Sequence, residues 1–300
     1  MSREISFATF NLYNLQLPNL PWRRNANPYT EEEYGRKVEW SAAMLRRLDA
    51  DVIAFQELWS KKCLEDIFEA AQLQHSYQLC FIKDDWYDIA VVAAVRDPWE
   101  VRHQQVHKAF PEGFVLHKRG NDPEEDREDD DIEVKIDMFS RSVLQLSIGH
   151  KDFTELPTIE VFAAHLKSKL ATRLDREERA DEAVRPHSQA LGSALSTIRR
   201  TAEAAALRVI VNNVTKGTDT PVVVLGDLND GQLSNTLSVI TQQPSYRLYE
   251  ASRRGSSSDV GLYAAGTLQE FRSLRDVYYT HIHPWRAREP GSRARVRTIL

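Results

Sequence analysis

Cysteine is almost missing from this 300-residue sequence, which holds only Cys63 and Cys80. The two stand well apart and fit neither a metal-binding nor a redox spacing, so both read as buried small hydrophobes in a reducing compartment. Long apolar runs are missing too. Nothing approaches the roughly twenty apolar residues of a membrane span, and Met1-Ser2-Arg3-Glu4-Ile5-Ser6-Phe7 carries charge where a signal peptide needs its apolar region. The expectation is a cytoplasmic protein with no membrane partner. Neither sign of charge dominates: 39 Lys and Arg stand against 44 Asp and Glu, a net charge of −5. That balance argues against a chain that coats nucleic acid nonspecifically, and leaves room for a local basic groove. No internal repeat or low-complexity linker divides the chain, so one domain over residues 1–300 is expected, with no obligate protein partner evident.

What is present centres on Pro221-Val222-Val223-Val224-Leu225-Gly226-Asp227-Leu228-Asn229-Asp230. A short β-branched run with a proline at its entrance reads as a fully buried strand, and it stops at a glycine, an acid, an amide and another acid. A strand packed on both faces is a rigid mount for polar groups at its end. In extended backbone Asp227 and Asn229 would share a face, one able to accept a proton or hold a cation, the other to donate to a phosphoryl oxygen. An Asx-rich turn is the plainer alternative.

Earlier stretches repeat the pattern. Ile5 to Phe10 reads as a strand delivering Asn11, which alone would be a turn residue, and Asp51 to Glu57 reads as a buried strand ending in a carboxylate. Between them Thr30-Glu31-Glu32-Glu33 forms a capping box, with Tyr34, Val38, Leu45 and Leu48 on one face of a helix that ends at Asp49-Ala50. Ser60 caps a second helix bearing Leu64, Ile67, Phe68 and Ala71. Extended segments follow at Ile89 to Val95, Val101 to Val106, Ile132 to Met138 and Ser142 to Ile148, and suggest antiparallel pairing. Asp122 to Asp131 holds eight acids in ten residues and reads as a solvated loop, without EF-hand spacing.

Thr158 to His165 is a further core strand, ending in a histidine that by itself is more often structural than catalytic and followed by Lys167 and Lys169. Arg173 to Arg185 reads as a solvated helix or arm, with Arg173 and Glu177 at helical pairing distance. Leu191, Leu195, Ile198, Ala202, Ala205 and Val209 form the clearest amphipathic stripe in the chain. Leu233 to Thr241 reads as a helix, Arg253 to Asp259 as a serine-rich loop, Leu268 to Val277 as further short structure, and Arg286 to Arg297 as a loop with five arginines. Val296 to Leu300 reads as the start of a strand.

Four strands thus end in Asn11, Glu57, His165 and the Asp227/Asn229 pair. Thr9-Phe10-Asn11-Leu12, Gln56-Glu57, His165-Leu166-Lys167 and Gly226-Asp227-Leu228-Asn229-Asp230, in this order, resemble the successive motifs of the endonuclease/exonuclease/phosphatase superfamily, the deoxyribonuclease I-like fold. Ser140-Arg141-Ser142-Val143-Leu144 resembles its arginine-bearing strand. The resemblance spans residues 5 to about 230. It implies an α/β fold, a four-layered α-β-β-α sandwich with the active site at one rim. It also implies a metal held by Glu57 assisted by Asn11, phosphate contact by His165 and Asn229, and water activation by Asp227, with Arg141 as a support residue; Arg141 and Lys167 are the candidates for substrate binding. Oxygen ligands such as Glu57 favour Mg2+ or Mn2+ over zinc.

The departure lies after Asp230, where the family carries an aspartate strand and a closing Asp-His pair. His281-Ile282-His283-Pro284 lacks the preceding acid and reads as a loop, so the expectation is a chain whose last strands are missing. The leading reading is a divalent-metal-dependent phosphodiesterase, foremost a nuclease acting on nucleic acid. A phosphatase or lipid phosphodiesterase on the same fold is the alternative, and an inactive truncated fragment or pseudoenzyme comes from a different class. Lys167, Lys169 and Arg173 would equally track a nucleic-acid backbone or form a solvated face.

Overall fold

A computed structural model describes residues 4–23, 26–81, 90–120, 130–242, 261–262 and 264–266. The expectations for Ile89, for most of the acidic run, for Arg253 to Asp259, Leu268 to Val277, His281 and His283, Arg286 to Arg297 and Val296 to Leu300 lie outside these residues. The chain is mixed α/β, with two main four-stranded sheets and helices, as the expected fold class requires. Its described residues divide into two compact units, the first reaching to Glu100 with His150–Asp152 added, the second taking Val101–Gly149 and Phe153–Gly261.

In the first unit, β1 (Phe7–Leu15), α1 (Glu31–Leu48), β2 (Val52–Leu58), α2 (Lys61–Ala71), β3 (Tyr77–Cys80) and β4 (Ala90–Arg96) give a sheet of order β1-β2-β4-β3. β1 and β2 are parallel, which needs a long crossover, and α1 supplies it. The capping box starts α1 as expected: Glu33 N–H donates to Thr30 Oγ1 at 3.2 Å, and Thr30 N–H donates back to Glu33 Oε2 at 3.0 Å. Asp49, at φ 44°, ends it in the left-handed region. Tyr34, Val38 and Leu45 of α1 and Leu64, Ile67, Phe68 and Ala71 of α2 are buried with Ile53, Phe55 and Leu58 in one apolar cluster. Phe68 meets Phe55 and Tyr77 edge to face, with ring centroids 6.0 and 5.3 Å apart. Each such buried aromatic or aliphatic side chain contributes about 1.5–3 kcal/mol.

The elements lying wholly or mostly in the second unit are β5 (Trp99–Ala109), β6 (Leu116–Lys118), β7 (Ile132–Val134), β8 (Met138–His150), β9 (Ile159–His165), α3 (Arg176–Ala180), α4 (Ser188–Thr215), β10 (Val222–Asp227) and α5 (Asn235–Thr241). Its main sheet runs β10-β9-β8-β5, while β6 and β7 form a separate ribbon. Ile132 to Met138 is therefore two elements, because β7 stops at Val134 and Met138 opens β8. Antiparallel pairing holds for β8 with β9 and for β4 with both β2 and β3. β9 and β10 are parallel, with α3 and α4 between them in sequence.

Further expectations need correction, beginning with Ser60, which stands at the start of α2 with no side-chain capping hydrogen bond. β10 is half-buried along its whole length, and among the described residues it has β9 as its one neighbour in the sheet order; the strand buried almost throughout is β9. Arg173 precedes the Asp175 cap of the five-residue α3, so it does not pair with Glu177 across a helical turn. The helix expected from Leu191 to Val209 exists, but Leu191, Leu195 and Ile198 are exposed by 44 to 46%. What α4 buries over those turns is Gly192, Ser196 and Arg200, followed by Glu203 and Leu207. Small and polar residues bring the helix close: a Cβ on Gly192 would lie 2.3 Å from the Thr172 carbonyl oxygen. Ser196 Oγ then donates to the Leu170 carbonyl at 2.7 Å and accepts Thr172 N–H at 3.0 Å. Hydrogen bonds to loop backbone, not apolar area, orient this face. No described helix is long and apolar enough to cross a membrane.

Candidate functional site

In the first unit the structure brings Asn11 and Glu57 together. Asn11 pairs with Gln56 in the parallel ladder and stands within β1 rather than at its end; the strand resumes at Leu15 after a break in register. Glu57 sits one residue inside β2 at φ 61°, a left-handed backbone in a strand, which costs a non-glycine residue free energy and is a recurrent mark of functional sites. Its carboxylate is held at both oxygens. Asn11 Nδ2 donates to Oε1 at 3.2 Å and Asn14 N–H donates to Oε2 at 2.9 Å. Asn14 is itself fixed by the Trp59 indole N–H, 3.2 Å from its Oδ1.

Near this carboxylate, Lys37 Nζ donates to the Tyr13 carbonyl at 2.7 Å and to the Tyr29 hydroxyl at 2.8 Å. Burial pushes the Lys37 ammonium down to about 8, against the opposing charge of Glu57. A carboxylate and a carboxamide are hard oxygen donors, the chemistry suited to Mg2+ or Mn2+. Thiolate ligation does not compete, since burial pushes Cys63 and Cys80 up to about 12.

In the second unit the parallel pair β9 and β10 ends in one place. Asp227 and His165 are register partners, and Asp227 Oδ2 lies 4.0 Å from His165 Nε2. Gly226, at φ 137°, makes this possible: a Cβ there would lie 1.8 Å from the Ala164 carbonyl oxygen. Beyond the strands, Leu166 N–H donates to the Asp227 carbonyl at 3.0 Å. The chain turns at Asn229, φ 53°, whose N–H donates to Asp227 Oδ1 at 2.9 Å. This is an Asx-turn, the plainer of the two readings of this stretch, and Asn229 does not continue the extended backbone. The Asn229 amide donates to the Leu166 carbonyl at 2.9 Å, and Arg141 Nη1 reaches the same oxygen at 3.2 Å. Lys167 Nζ is turned to the Leu170 carbonyl at 3.2 Å.

His165 is buried, and burial first, then the Arg141 guanidinium, push its imidazole down to about 3 against the pull of Asp227. It is therefore neutral at ordinary pH, and its contact with Asp227 is not an ion pair. The depressed value has a sign: the unfolded chain takes up a proton near pH 6.5 that the folded chain refuses, so stability is full above pH 6.5 and falls as pH drops toward 3. In a thermal-melt series over that window, His165→Gln should flatten the decline. A slope equal to the parent's would show that the burial of this imidazole does not control acid stability.

Two groups bracing this end carried no signal readable from hydrophobic periodicity. Glu203, fully buried on α4, accepts Ser140 N–H at 2.8 Å and Lys167 N–H at 2.7 Å, with Arg199 Nε at 3.2 Å. Asp230 accepts Lys169 at 2.8 Å, Arg200 Nε at 3.3 Å and Thr236 Oγ1 at 2.7 Å. Burial alone would raise the Asp230 carboxyl, but the hydrogen bonds from Lys169, Thr236 and Gly231 outweigh it and hold it below the usual carboxylate range.

No protein-family model matches the sequence, and no curated protein matches it. Solved structures do match. One is an endonuclease/exonuclease/phosphatase family protein from Bacteroides thetaiotaomicron, 14% identical, TM-score 0.48, covering 79% of this chain and 68% of its own. A mannosyl-6-phosphatase from the same organism is 15% identical, TM-score 0.48, covering 80% and 70%. A truncated TDP2 from Caenorhabditis elegans is 13% identical, TM-score 0.42, covering 76% of this chain and 63% of its own. The superfamily whose motifs the sequence resembles is thus represented among the structures similar to this chain.

Proposed function

We propose that the chain is a divalent-metal-dependent hydrolase of phosphodiester bonds, and within that class a nuclease. The observation that carries the reading is the end of the β9 and β10 pair, where a one-third-exposed carboxylate and a buried neutral imidazole are register partners 4.0 Å apart. Hydrolysis of a diester needs a base that orients and deprotonates water, and donors aimed at the nonbridging oxygens. Asp227 is the base: the Asn229 N–H holds one carboxylate oxygen and so sets the plane of the other. His165, neutral, serves as a donor to a phosphoryl oxygen without bringing a second charge, and Arg141 supplies the positive charge beside it. Asn229 and Lys167 contribute further donors.

Glu57 with Asn11 would hold the cation, which supplies charge neutralisation at the phosphoryl group when bound. The residues fit such an ion because both are oxygen donors and the hydrogen bonds from Asn11 and Asn14 orient the Glu57 carboxylate beforehand.

The test is hydrolysis of bis(p-nitrophenyl) phosphate, p-nitrophenyl phosphate and plasmid DNA by the full chain with magnesium and with EDTA. Magnesium-dependent cleavage of the diester and the DNA is expected. Faster cleavage of the monoester would replace nuclease by phosphatase, and no cleavage of any substrate would end the hydrolase reading. In the same assay Glu57→Gln should raise the magnesium needed for half-maximal rate by at least the roughly 10- to 100-fold that even outer-shell partners of ligands contribute. Superimposable magnesium titrations would remove Glu57 from the metal site.

A further inference from the structure

Between Asn11 and Leu15, β1 leaves its register with β2, and two successive non-glycine residues, Tyr13 and Asn14, take φ of 52° and 53°. Asparagine tolerates that region; a tyrosine is ill suited to it, and glycine would hold the same turn at less cost. The bulge is nevertheless pinned. Tyr13 N–H donates to Asn11 Oδ1 at 2.8 Å, Asn14 N–H to Glu57 at 2.9 Å, and Lys37 Nζ to the Tyr13 carbonyl at 2.7 Å. These bonds fix the backbone on either side of the Tyr13 ring, which remains 71% exposed with the Lys37 ammonium 5.4 Å from its centroid. A large aromatic that buries little, on backbone it strains, gains the fold little beyond its contact with Lys37. It stands two residues from Asn11 and next to the residue whose N–H holds Glu57.

We propose that Tyr13 is a stacking platform for a nucleobase, so that the substrate is a nucleobase-bearing phosphodiester whose phosphate lies toward Asn11 and Glu57. The proposal rests on the hydrolase reading and narrows it. Single-strand nucleic-acid sites combine aromatic faces that accept any base with cations that follow the backbone, and Tyr13, Tyr29 and Lys37 interleave these two features. A lipid head group or a glycerol phosphate has no π face to offer.

Binding of fluorescein-labelled decathymidylate, and of an abasic tetrahydrofuran decamer of equal charge, to the full chain in EDTA tests the proposal apart from turnover. The parent should bind the thymidylate more tightly than the abasic strand. Tyr13→Ala should weaken thymidylate binding by about 10-fold and leave the abasic strand unchanged, while Tyr13→Phe restores the preference. Tyr13→Gly, suited to the positive φ, should lose the same preference and melt no lower than the parent, which separates stacking from folding. Equal weakening of both strands by Tyr13→Ala, or none, overturns the proposal. So does a parent that binds the two strands alike. A parent that prefers bases yet cleaves no phosphoester would instead overturn the hydrolase reading alone.

Discussion

Asp227→Asn is expected to lower the turnover of a phosphodiester by about a hundredfold or more while leaving the fold intact. The amide keeps the oxygen that accepts the Asn229 N–H, so the turn after β10 survives, but it has no basic lone pair with which to take a proton from water. The side chain is one-third exposed and its imidazole neighbour is neutral, so replacing its charge breaks no ion pair with His165. A fall in kcat with KM little changed, and a melting temperature close to the parent's, is the pattern of a group that acts in the transition state. A variant that turns over at the parental rate would show that Asp227 is not the base. A variant that melts far below the parent would show that its charge serves the fold.

How much of this was legible in the sequence depended on which force shaped each element. Where apolar burial dominates, the reading is close: the Thr30 capping box and the α1 and α2 faces packed under Ile53, Phe55 and Leu58 stand as expected. Strand ends were harder. Asn11 looked like a terminus because asparagine often closes a strand, yet β1 bulges and resumes, with Glu57 turned to positive φ. Bulges depend on pairing with another strand, and one strand's residues do not declare it. At Asp227 and Asn229 the choice between extended backbone and Asx-turn was open, and Asn229 took the left-handed turn because its N–H could reach the Asp227 carboxylate.

α4 misled most. Its leucines and isoleucine suggested the wrong face, since periodicity weighs apolar area and cannot see a helix that docks by donating and accepting hydrogen bonds. Gly192 and Ser196 allow close approach, and Glu203 supplies an acceptor where two backbone N–H groups converge. Local sequence preference and tertiary demand disagree here, a conflict that tends to fall near functional sites.

The consequence of that disagreement can be measured. Glu203→Leu, which puts an apolar side chain at a fully buried position of α4, should destabilise the chain by about 2–6 kcal/mol. The carboxylate is fully buried, and without it Ser140 N–H and Lys167 N–H lose their acceptor, each costing roughly 1–3 kcal/mol. The Arg199 contact adds little, because that guanidinium is one-third exposed and screened by water. Leu195→Gln, which removes an apolar residue from the exposed stripe, should stay within about 0.5 kcal/mol of the parent. Glu203→Gln keeps one acceptor but turns an amide donor toward a second N–H, so it should fall between the two. Catalysis should decline with Glu203 as well. Ser140 precedes Arg141, and Lys167 follows Leu166, whose carbonyl holds both Arg141 and Asn229, so loosening the two N–H groups loosens the donors beside His165. Denaturant unfolding of the three variants gives the order, and steady-state kinetics on those still folded gives the coupling. If Leu195→Gln cost more than Glu203→Leu, α4 would dock by its apolar stripe after all, and the bracing assigned to Glu203 would be wrong.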